Sequence, residues 1–120
     1  MNHESQINMS KANSAKEVLI AAKWIIENVG WCQRSSAKDI DGLTVIDFLN
    51  VPGHCYCAYG AATVVDTDDI HRREAMRLVS KNIPDTTGVV VWNIINFNDD
   101  SKTTKEKVIK AFDKAIASLP

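Results

Sequence analysis

Apolar positions along the chain form two long helical stripes, one near each end. Val18, Leu19, Ala22, Ile25, Ile26 and Val29 recur at intervals of one, three and four residues, which lines one face of an α-helix. Ser14 and Glu17 make a capping box at its start, and Gly30 stands where a C-terminal cap belongs. The pattern predicts a helix over residues 15–29. Val108, Ile109, Phe112, Ala115, Ile116 and Leu119 repeat the same spacing after a Thr103-x-x-Glu106 box, with Glu106 and Lys110 as an i, i+4 pair on the outer face. These two helices are expected to pack together.

The segments between them are shorter and more mixed. Asp41-Gly42, flanked by Ala37–Ile40 and Leu43–Ile46, is a type I′ hairpin signal. Val51-Pro52-Gly53 breaks both periods and reads as a turn. Cys57 to Val65 is rich in Ala and predicts a helix; Gly60 inside it implies close approach of another backbone. Asp66-Thr67-Asp68-Asp69 caps a further helix carrying Ile70, Met76, Leu78, Val79 and Ile83, which Pro84 ends. Thr87–Phe97 is divided: its valines favour a strand, but the length of its apolar pattern favours a helix, which is the expectation here. Asn98 to Ser101 reads as a loop. Residues 1–13 lack apolar period and read as a mobile tail before one helical domain at 14–120. The expected fold is mainly α, a compact bundle of four or five helices with one short β-hairpin near residues 37–46. The Cys57–Val65 helix is expected at its centre.

Composition narrows the function classes. A chain of 120 residues with 45% hydrophobic and 24% charged residues has room for one folded domain and can bury a core without a disulfide or metal. A net charge of −1 offers no basic footprint, so nucleic acid is not an expected partner. No stretch approaches the ~18 apolar residues of a membrane span, and the polar N-terminus lacks a signal-peptide pattern. Three cysteines cannot all pair, and a Cys55–Cys57 bridge would be strained. Reduced thiols in the cytoplasm are the expectation.

Three short motifs carry a resemblance: G-W-C-Q at Gly30–Gln33, C-A-Y-G-A at Cys57–Ala61 and I-N-F-N-D at Ile95–Asp99, the last followed by T-x-x-E and the closing helix. In this order, over about Ser14 to Leu119, the chain resembles a family of small bacterial and phage proteins that form a domain of unknown function. It departs from that pattern at Phe97, where the family usually has Trp. The resemblance implies a compact, mostly helical fold and no established activity.

Four groups of residues are candidates for chemistry. Cys57 at a helix N-terminus suits a thiolate nucleophile, with His71 or His54 as base and Asp68 or Asp99 orienting it. The competing reading, a small buried residue on a close-packed face, is favoured. Cys32, His54, Cys55 and Cys57 have the ligand types of a zinc site, but the spacing departs from a zinc knuckle. The Asp66–Asp69 and Asn98–Asp100 clusters lack the order of a Ca²⁺ loop and read as helix caps, with Asn98-Asp99 kept open as a site. Trp31, Gln33, Tyr56, Tyr59, Trp92, Asn93 and Asn98 could line a pocket or contact surface. Trp24 and Trp92 are expected in the core and Trp31 at its edge.

No catalytic constellation is complete and no cofactor is called for. The leading expectation is therefore a small non-catalytic cytosolic binding protein, phage- or mobile-element-encoded, acting on a host component. It would inhibit a defence protein or sequester a small nucleotide-like signal, using Trp31, Gln33, Tyr59, Asn98 and Asp99. The alternatives are a cysteine-dependent hydrolase or transferase using Cys57 and His71, and a structural or homodimeric module.

Overall fold

The computed structural model describes residues 10–120. Helix α1 spans Ala15–Asn28, and Ser14 caps it by accepting the Glu17 N–H at 3.1 Å. The Glu17 carboxylate reaches back one residue further than a capping box requires, accepting the Asn13 N–H. Gly30 follows with φ +152°, and a side chain there would press on the His54 carbonyl and Cys55. Glycine is needed here for both reasons.

Strand β1, Ala37–Lys38, pairs antiparallel with β2, Cys55–Tyr56, in the register Ala37 to Tyr56 and Lys38 to Cys55. The Asp41-Gly42 turn forms, with Asp39 and Leu43 hydrogen-bonded across it and a single bridge between Lys38 and Thr44. The predicted return strand stops there, and the ladder partner of β1 comes instead from residues 55–56. Those two residues lie just before the predicted helix. Tyr56 must be extended for its side chain to be buried and its hydroxyl to accept the Gly53 N–H at 2.7 Å.

Helix α2 covers Ala58–Val64, α3 Asp69–Lys81, α4 Val90–Asp99 and α5 Lys105–Ala117. The divided segment is thus helical. The fold is mainly α, with five helices and one short two-stranded sheet among the described residues. Helix α1 packs on α5, α2 and α3, and α3 also holds α4 and α5. Val18, Leu19, Ile25, Ile26, Val108 and Phe112 are buried between them, so the two predicted stripes do meet. In α2, Ala58, Gly60, Ala61 and Ala62 are buried, and any Cβ on Gly60 would overlap the Ser36 carbonyl. Arg72 donates to the Ala62 and Val65 carbonyls, which satisfies the C-terminal end of this short helix.

Several expectations change. Asn98 and Asp99 are the last turn of α4, because Asn98 has partners only in the interior. Thr104 caps α5 by accepting the Lys107 N–H, while Thr103 is buried. Trp24 and Trp92 are 41% and 58% exposed, since each lies off the buried stripe of its helix. The expected mobile tail falls outside the described residues except for its last four. Of these, Ala12 is buried and pairs with Thr67, donating its N–H to the Asp66 carbonyl at 2.8 Å.

Candidate functional site

The three motif segments converge on Asn98. Its side chain is fully buried, and its Oδ1 accepts the Trp31 indole N–H at 2.7 Å and the Ala58 N–H at 2.9 Å. Its Nδ2 donates to the Cys32 carbonyl and to Asp99 Oδ1. Gln33 Nε2 donates to the carbonyls of Asn98 and Asp100, and Asp99 Oδ1 accepts the Arg34 N–H at 2.8 Å. Arg34 sits at φ +69°, a left-handed turn that this contact helps to hold. Trp31, Gln33, Asn98 and Asp99 were candidates for ligand binding, and the structure brings them together. Their polar atoms, however, answer one another. Tyr59 is half-buried on α2, with its carbonyl accepting the Thr63 hydroxyl. Asn93 likewise works internally, accepting from Thr86 and donating to Ser80.

Cys57 is the N-cap of α2. Its Sγ accepts the Gly60 N–H at 3.2 Å, and its thiol is buried. Burial pushes its pKa up, against the opposing pull of the Gly60 and Tyr59 N–H groups. The Asp99 carboxylate pushes in the same direction as burial. His71 lies in the first turn of α3 beside Ile70, Arg73, Glu74 and Arg77. Cys57 Sγ has the Gly60 N–H as its partner, and among the described residues no hydrogen bond joins it to His71.

Among the described residues, no group of three or more His, Cys, Asp or Glu is placed to hold a metal ion. Cys32, His54, Cys55 and Cys57 therefore do not form a zinc site: Cys57 faces its own helix and His54 is exposed. No described helix is long and apolar enough to cross a membrane.

The chain belongs to the family of unknown function DUF6197. That family's model matches residues 10–118. No curated protein and no solved structure shows a significant match.

The most distinctive surface is the excursion between β1 and β2. Ile40, Leu43, Ile46 and Leu49, spaced by three, all point outward, and Ile46 is 91% exposed. Val51 joins them, and Asp39, Ile40, Thr44, Val45, Val51, Pro52 and His54 line a groove of about 530 Å³. Val45 and Phe48 turn inward and pack on the core, which anchors the excursion. Sequence reading did not single out this surface. The signal was present in the period of three, which fits neither a strand nor one helix face, so these side chains had no buried stripe to join.

Proposed function

We propose that this is a non-catalytic binding protein that holds a partner protein on the 39–54 excursion. The observation that carries this reading is the cluster of Ile40, Leu43, Ile46, Leu49 and Val51, all exposed on one loop of a folded domain. Large apolar side chains left exposed together on one loop mark contact sites. The excursion also contains Asp39, Asp41 and Asp47 and no Lys or Arg. The partner is therefore a helix whose apolar face is edged by basic side chains, since complementary charge steers and orients such contacts. In its finer form the reading has a phage- or mobile-element-encoded chain capturing a host protein. A nucleotide-like ligand has less support, because Trp31, Gln33 and Asn98 already hydrogen-bond within the protein.

Selection of displayed helical peptides against the full chain tests the reading. The expected clones alternate apolar residues with Lys or Arg and bind about tenfold or more weakly to Ile46→Asp, a loss of about 1.4 kcal/mol. Their binding also weakens with salt. Clones that bind Ile46→Asp equally well, or no enrichment at all, would overturn it. So would self-association through this surface in light scattering, which would make the occupant a second copy.

A further inference from the structure

The chain enters the excursion through a strained turn. Among the described residues, Arg34 is the one non-glycine residue at positive φ, +69°. Left-handed backbone is unfavourable for an L-residue with a side chain, so something must hold it. Arg34 is exposed, and burial does not do so. Its N–H donates to Asp99 Oδ1 at 2.8 Å, in the last turn of α4. A carboxylate acceptor makes this a strong hydrogen bond.

The residues after the turn form the base of the excursion. Ser35 Oγ and Thr44 Oγ1 share a hydrogen bond at 2.6 Å. The Ala37 carbonyl accepts the Val45 N–H at 3.0 Å, and the Asp39 N–H donates to the Leu43 carbonyl at 2.8 Å. Residues 35–39 thus carry residues 43–45, with Ile40, Leu43 and Ile46 exposed around them. On the other side, the Ser36 and Lys38 carbonyls accept the Cys57 and His54 N–H groups.

We propose that Asp99 is a positioning residue for the contact surface: its carboxylate holds Arg34 in the left-handed turn that sets residues 35–39, and through them the excursion. In its consequence for binding, the inference rests on the reading of residues 39–54 as a contact surface. Asn98 and Asp99 then divide the work. The amide joins α4 to Trp31 and to the start of α2, and the carboxylate directs the chain that leaves this junction. Glycine adopts positive φ freely, so Arg34→Gly removes the need for the carboxylate. A general stabilising role for Asp99 would be indifferent to that change.

Amide hydrogen exchange of the full chain, read by mass spectrometry, provides the test. Asp99→Ala should speed exchange across residues 34–45 by about tenfold or more, the effect of losing one hydrogen bond to a charged acceptor. The amides of α1 and α5 should keep their rates. Asp99→Asn retains an oxygen acceptor and should exchange like the parent chain. Arg34→Gly combined with Asp99→Ala should restore most of the protection. Exchange at 34–45 that ignores Asp99→Ala, a uniform rise that includes α1 and α5, or a loss that Arg34→Gly does not repair would each overturn the proposal. So would an Asp99→Ala chain that fails to fold in both backgrounds. No partner enters these measurements, so their failure is distinct from a failure of the peptide selection.

Discussion

The Trp31 indole N–H donates to Asn98 Oδ1 at 2.7 Å, tying the exit of α1 to the last turn of α4. The same oxygen receives the first N–H of α2 from Ala58. One amide therefore fixes three segments that are far apart in sequence.

Asn98→Ala removes all four partners of a fully buried group and leaves the Trp31 and Ala58 donors without acceptors. The expected cost is about 3 kcal/mol or more. Trp31→Phe removes one hydrogen bond and leaves Ala58 satisfied, with an expected cost of about 1–2 kcal/mol. Urea unfolding of both variants checks the order. An Asn98→Ala protein as stable as Trp31→Phe would show that the amide is not the junction.

Gly60→Ala should be harmful although alanine favours helices. The added methyl would overlap the Ser36 carbonyl, a backbone group that also accepts the Cys57 N–H. Overpacking of this kind typically costs about 1–3 kcal/mol, more when the obstacle is backbone. Helix propensity alone would gain about 1 kcal/mol from the same change. The sign of the thermal shift therefore separates the two effects.

Cys57 should be the slowest of the three cysteines to react with iodoacetamide at neutral pH, since it alone of the three is buried. Mass mapping after partial labelling reads this directly. A Cys57 that labels first would return the nucleophile reading to contention. Cys57→Ser should be milder than Cys57→Ala, because a serine hydroxyl can still accept the Gly60 N–H as a helix cap.

Stability should fall under alkaline conditions. Thiols of an unfolded chain ionise near pH ~8.5, whereas burial raises the pKa of both Cys32 and Cys57 in the native state. Both folded pKa values lie above the unfolded one. Their contribution is fully present below about pH 8.5 and is lost as pH rises toward the native values. Urea midpoints measured with reductant from neutral to alkaline pH should decline, and Cys32→Ala should flatten the slope.

Ile46→Asp should leave the melting temperature nearly unchanged, within about 0.5 kcal/mol, because the side chain is 91% exposed. Ile26→Ala, in the α1–α5 core, should cost about 2–5 kcal/mol. Similar losses from both would mean that the excursion is part of the folded core.

The sequence by itself determined α1, α2, α3 and α5, because their signals are local. The stripes of α1 and α5, the Ser14 cap and the small residues of α2 each act within a few positions, and the structure follows them. Tertiary structure decided what depends on distant partners. The extended form of Cys55–Tyr56 comes from β1 and from the burial of Tyr56, which neighbouring residues do not reveal. Asn98 looked like a cap in a loop, since a lone Asn carries no sign that Trp31, Cys32 and Ala58 will surround it. The motif residues were visible as candidates, but a side chain that binds a ligand and one that holds two helices together have the same letter. Which groups face outward was also settled by packing: Ile46 and Trp92 are large and apolar like Ile26, yet they are exposed while Ile26 is buried.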